Sequence, residues 1–136
     1  MAQYQDEVIL MAQYQDEVTL LARHETIAEF EGIQHIPCRF RTAECPDRCN
    51  HATDVAIFKV LEYTKYEKPG EYGDPKQEKI RVDIKKQIFN QDPKIQEFCK
   101  SHLEVGKKYR VCYDHLYVKQ NGMNRPERPT TEVTPL

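Results

Sequence analysis

Cys38, Cys45, Cys49 and His51 fall within fourteen residues, in the run His35-Ile-Pro-Cys-Arg-Phe-Arg-Thr-Ala-Glu-Cys-Pro-Asp-Arg-Cys-Asn-His51. Thiolate and imidazole are the ligands that zinc takes in a tetrahedron, and short spacings let one loop wrap the ion. Three residues separate Cys45 from Cys49, and Pro46 and Asp47 between them favour the tight turn such a pair needs. Six residues separate Cys38 from Cys45, a span that a loop permits. His51 completes the set, and His35 stands in reserve. Two other states use the same residues: reduced thiols in a polar loop, and a Cys45–Cys49 disulfide or redox pair. The redox state needs a lowered thiol pKa, which Arg41 and Arg48 would help supply.

A second group is aromatic and basic. Tyr63, Tyr66 and Tyr72 flank Lys65, Lys68 and Lys76 around Lys68-Pro-Gly-Glu-Tyr-Gly-Asp-Pro75. Aromatic faces stack bases at ~1–3 kcal/mol each, and neighbouring cations hold phosphates. Tyr63, Tyr66, Tyr72, Lys76 and Arg81 are therefore the ligand-binding candidates. Ordinary sheet packing would also occupy Tyr63 and Tyr66, but it does not account for Tyr72 between two glycine-bearing turns. Asp114-His115 has the composition of a base with its orienting carboxylate. No nucleophile accompanies it, so a locally hydrogen-bonded strand end is expected and no catalytic residue is assigned. Cys99 and Cys112 sit among apolar residues and are expected to pack as small hydrophobes. No phosphate-cradling glycine loop, paired acidic motif or helical His-Glu-x-x-His occurs.

The elements that must position these residues read mainly as strands. Val18, Leu20 and Ala22 alternate with Thr19 and Arg23, and apolar character continues through Ile27, Phe30, Ile33 and Ile36, with Gly32 at a bend or bulge. An amphipathic helix over 16–30 is the alternative. Residues 37–53 form the cysteine-rich loop. A β-branched and aromatic strand follows from Val55 toward Tyr66. Pro69-Gly70 and Asp74-Pro75 then signal turns. Ile80, Val82 and Ile84 alternate with Arg81, Asp83 and Lys85, the cleanest half-buried strand pattern in the chain. Asp92-Pro93 caps and opens a helix over about 92–103, whose stripe is Ile95, Phe98, Cys99 and His102. A strand from Lys107 to Tyr113 extends through Leu116 to Val118, and Asn121-Gly122 turns the chain. Pro126 to Leu136, with three prolines, reads as one edge strand.

This order resembles the OB-fold, the oligonucleotide/oligosaccharide-binding barrel: five strands, with one short helix between strands 3 and 4. The resemblance covers 17–134 and rests on element order. It implies a mainly β protein, a small five-stranded barrel binding ligands on one face with its loops. Residues 1–10 and 11–20 repeat one another except for Ile9 and Thr19. Two copies make no solenoid, so residues 1–12 are expected to be a non-essential duplicated start.

The 136 residues suit a single domain able to bury a core without disulfides. No apolar run approaches a membrane span, and no basic-then-apolar leader opens the chain. With five cysteines, an odd count, the expected location is the cytoplasm. Residues 1–62 carry 5 basic and 11 acidic side chains, whereas 63–136 carry 15 and 11. That asymmetry would give one positive face, though a dedicated nucleic-acid domain is usually more basic overall. The functional expectation is a small binding module whose Cys/His loop holds zinc, its partner being single-stranded nucleic acid or a protein. The alternatives are a redox or metal-dependent enzyme using Cys38, Cys45, Cys49 and His51, and a purely structural interaction domain.

Overall fold

A computed structural model describes residues 17–37, 52–85 and 91–136. These residues are mainly β: six strands of one antiparallel sheet and one helix. The strands are β1 (Glu17–Ile36), β2 (Thr53–Glu67), β3 (Lys79–Asp83), β4 (Lys108–Gln120), β5 (Met123–Glu127) and β6 (Thr130–Pro135), with helix α1 (Pro93–Ser101) between β3 and β4. Their order across the sheet is β3-β2-β1-β4-β5, and β6 also pairs with β4.

β1 is a strand along its whole length, not the helix that short apolar runs left open. Ala22, His24, Thr26, Ala28 and Phe30 are buried at a period of two. Its register against β2 shifts between Phe30 and Gly32, which places a bulge where the glycine suggested one. β3 ends at Asp83, two residues before its pattern does. The Asp83 carboxylate accepts the Lys85 amide and the Thr53 hydroxyl, and so turns the chain out of the ladder. α1 begins as expected, with Asp92 accepting the Lys94 amide. His102, expected on the apolar stripe, caps the helix and stacks on Phe98 at the surface; the buried helical residues are Gln96 and Cys99.

The C-terminal edge strand is two strands, which raises the count from five to six. Both lie antiparallel to β4, β5 along Leu116–Gln120 and β6 along Tyr109–Tyr113. Arg128-Pro129 interrupts them, because proline cannot donate to a ladder. Asn121 and Gly122, both at positive φ (51° and 78°), form the two-residue turn from β4 into β5.

Among the described residues the sheet is not closed. Its outer positions are β3 on one side and β5 with β6 on the other. It is nevertheless strongly curved, since Ile80 and Val82 of β3 share one core with Val133 of β6, around Phe58, Tyr109 and Val111. α1 packs against β6 and β3, in the seam between the two edges. Two glutamine amides do there what a strand ladder would do. The buried Gln91 side chain accepts from Thr130 N–H (2.9 Å) and donates to Thr130 C=O (3.1 Å). Gln96 Nε2 donates to the Asp83 carbonyl at 2.9 Å. Buried backbone groups need such partners, and a side-chain amide offers both a donor and an acceptor.

Candidate functional site

The expected metal ligands Cys38, Cys45, Cys49 and His51 lie outside the described residues, as do Arg41 and Arg48. Among the described residues no group of three or more His, Cys, Asp and Glu could hold a metal ion. The neck of the loop is described. Ile36 pairs with Thr53 and His35 with Asp54, so β1 and β2 bring residues 37 and 52 together. His35 Nδ1 lies 2.7 Å from Asp54 Oδ1, and its ring is exposed. A carboxylate on Nδ1 fixes the imidazole tautomer and leaves Nε2 as the lone pair. Cys99 and Cys112 are buried free thiols, as their apolar neighbours implied, and burial pushes Cys99 up to about 12.

The interior of the curved sheet is apolar near α1 and polar at its far end. His24 on β1 is fully buried there and stacks on Tyr113 of β4, with centroids 4.2 Å apart. Tyr66 meets its edge at 5.1 Å. The Tyr63 hydroxyl accepts from the Gln77 amide and lies 2.7 Å from His24 Nδ1. Donating the phenolic proton to Nδ1 completes that hydroxyl and leaves the imidazole proton on Nε2. His24 Nε2 has no hydrogen-bond partner among the described residues. Burial lowers His24 to about 4, so the ring is neutral near neutrality.

The segment 68–78 crosses this polar end and is fastened at Asp74. The Asp74 carboxylate takes a two-pronged bond from Arg128 (2.7 and 3.0 Å) and a third from the Tyr113 hydroxyl at 3.2 Å. Arg128 is the main reason its pKa falls below the usual carboxylate value. The Asp74 amide donates to His115 Nδ1 (3.0 Å), and its carbonyl accepts from the Tyr66 hydroxyl (2.7 Å). Gly73 makes this approach possible: a Cβ there would sit 2.2 Å from the Leu21 carbonyl oxygen. Burial also lowers His115, and raises Tyr63 and Tyr113, so neither phenol is poised to ionise near neutrality.

A cleft of about 360 Å³ opens beside this cluster, along the seam. β3 forms one wall through Lys79, Ile80 and Arg81; Tyr113 and Arg128 form the other, with Asp74 and Gln77 between. The aromatic–basic candidates divide accordingly. Tyr63, Tyr66 and Lys76 come together, with Lys76 Nζ 5.4 and 5.7 Å from the two ring centroids. Their hydroxyls are committed to the protein, and Lys76 already covers the rings. Tyr72 is apart, with 81% of its surface exposed. Arg81 lines the cleft and is exposed.

Asp114-His115 is not a pair. Neighbours on a strand face opposite sides. Asp114 binds Arg23 on the outer face (2.9 and 3.1 Å), while His115 turns inward to Asp74, forty-one residues away. His24 and Arg128 carried no local signal, and Asp74 signalled only a turn with Pro75. The alternation of His24 with Ala22 and Thr26 was the one available sign. Comparison with protein-family models, with curated proteins and with solved structures finds no match.

Proposed function

We propose that the chain is a small binding module, an incompletely closed OB-like barrel over 17–134 that receives an extended partner at its open seam. The observation that carries this reading is the cleft between β3 and Arg128. It lies where a closed barrel would hold a strand ladder, and its lining carries three cations, Lys79, Arg81 and Arg128, against the one carboxylate of Asp74. Concave sites with a few placed polar groups are where ligands bind. The Asp74 cluster supports it by fixing Arg128 and Tyr113 in place. The duplicated residues 1–12 play no part in this reading.

The test is amide chemical-shift mapping of the full chain. Two probes are used, a ten-base single-stranded oligonucleotide and an unstructured acidic peptide. Shifts at Gln77, Lys79, Arg81 and Tyr113 with either probe are expected. No shift in the seam with either one would end the reading. Nucleic acid would also show a steep loss of affinity with salt.

The Cys/His loop is proposed as a zinc-shaped rim of the same module. His35 held by Asp54 at the loop neck favours this, because metal-bound imidazoles commonly rest on a carboxylate. Cys38, Cys45, Cys49 and His51 would be the ligands, with His35 in reserve. Elemental analysis of reduced protein with a thiol count should give one zinc per chain and three protected thiols. No metal and five reactive thiols would refute it.

A further inference from the structure

The hydrogen-bond parity of β3 identifies which of its main-chain groups are unpaired. Val60 N–H donates to Glu78 C=O, and Ile84 N–H to Asp54 C=O. The ladder between these bonds keeps one register, Phe58 opposite Ile80 and Ala56 opposite Val82. In an antiparallel pair, alternate residues bond to the partner strand. Residues 78, 80, 82 and 84 therefore face β2, and Lys79, Arg81 and Asp83 face the seam. The Gln96 bond to the Asp83 carbonyl agrees with this parity and covers that end of the edge. Lys79 and Arg81 remain, with their N–H and C=O groups directed to the cleft and no backbone partner among the described residues.

We propose that this stretch of β3 binds a partner protein by antiparallel strand addition, and that the added segment reads acidic–apolar–acidic. The proposal rests on the binding-module reading and names its partner. Free N–H and C=O groups at alternate residues are matched by a polypeptide backbone, which offers the same groups at the same repeat. The side chains follow from the pleat. Residues of the added strand opposite Lys79 and Arg81 lie on the exposed face with those cations, where opposite charges attract across strands. The residue between them lies on the side of Ile80 and Tyr113, both in the core, and is therefore apolar. Lys79 already has a partner in Glu31 at 2.9 Å, so Arg81, with none among the described residues, is the chief anchor. A nucleic acid would satisfy the charges but not the main-chain groups.

The test uses the full chain and a capped pentapeptide, Ser-Glu-Val-Glu-Ser, with amide shifts of Lys79 and Arg81 as the readout. Both amides are expected to move downfield on binding while those of Ile80 and Val82 stay nearly still. N-methylation of the two Glu nitrogens removes the ladder donors and should weaken binding at least tenfold. N-methylation of the Val nitrogen, which points away from β3, should leave it within about twofold. Arg81→Glu should cost about tenfold, and a Ser-Lys-Val-Lys-Ser peptide should recover part of that loss. Equal loss from methylation at Glu and at Val, or none at either, would overturn strand addition. Seam shifts with the oligonucleotide alone would overturn this inference and leave the binding module standing; no seam shift with any probe would sink both.

Discussion

Replacing Gln91 with leucine should destabilise the protein by about 3 kcal/mol. Gln91 is 8% exposed and Thr130 4%, so neither can turn to water. The two bonds between them, 2.9 and 3.1 Å, are a strand pairing made by a side chain. Leaving a buried donor or acceptor unpaired costs ~1–3 kcal/mol, hence ~2–6 for the Thr130 N–H and C=O together. The leucine returns ~1–2 kcal/mol through apolar burial. With a urea m-value of ~1–3 kcal/mol/M, the midpoint should fall by ~1–3 M. Gln91→Glu separates the two bonds. A carboxylate still accepts from Thr130 N–H but sets a negative charge against the carbonyl. Burial and that carbonyl raise its folded pKa above the ordinary glutamate ~4.3. The variant should therefore come closest to the parent below about pH 4.3 and lose stability as pH rises through its folded pKa. A Gln91→Leu stability within ~0.5 kcal/mol of the parent would refute the view that side-chain amides hold the seam.

Further outcomes concern the polar end of the sheet. His24 titrates near 6.5 when unfolded and at about 4 when folded, so folding favours its neutral form. Stability should be full above pH 6.5 and fall toward pH 4, by up to ~1.4 kcal/mol per unit. His115, shifted in the same direction, adds to the fall. Below that window Asp74 takes over, since its lowered pKa gives stability that is lost as the carboxylate protonates. His24→Phe should flatten the slope between pH 6.5 and 4 in urea titrations at each pH; an unchanged slope would remove His24 as its source. Gly73→Ala should lower stability by about 2 kcal/mol or more, because the new methyl meets the Leu21 carbonyl and levers Asp74 off His115. A variant with the parent's thermal midpoint would contradict that close approach.

The strands were legible where apolar residues recur at a period of two. Ile80, Val82 and Ile84 against Arg81, Asp83 and Lys85 sufficed for β3, and Asp92-Pro93 for the start of α1. The inner face of β1 was not, since its stripe of Ala22, His24, Thr26 and Ala28 is small and polar. Ile27, part of the apolar run, lies on the other face. The end of β3 depended on side-chain bonds of Asp83, which no periodicity encodes. The site was least legible, because Asp74, His115 and Arg128 are distant in sequence and meet only after the sheet curves. Tyr63 and Tyr66 were visible as aromatic residues near lysines. Their hydroxyls serve His24, Gln77 and Asp74, which only the folded chain brings within reach. Among the described residues no helix is long and apolar enough to cross a membrane.

Residue-resolved amide hydrogen exchange of the full chain, without any ligand, tests the open seam most directly. The amides of Ile80 and Val82, bonded to β2, should exchange slowly, while those of Lys79 and Arg81 on the same strand should exchange near the unprotected rate. Slow exchange at all four would mean that β3 already has a second neighbour and that no binding edge is free.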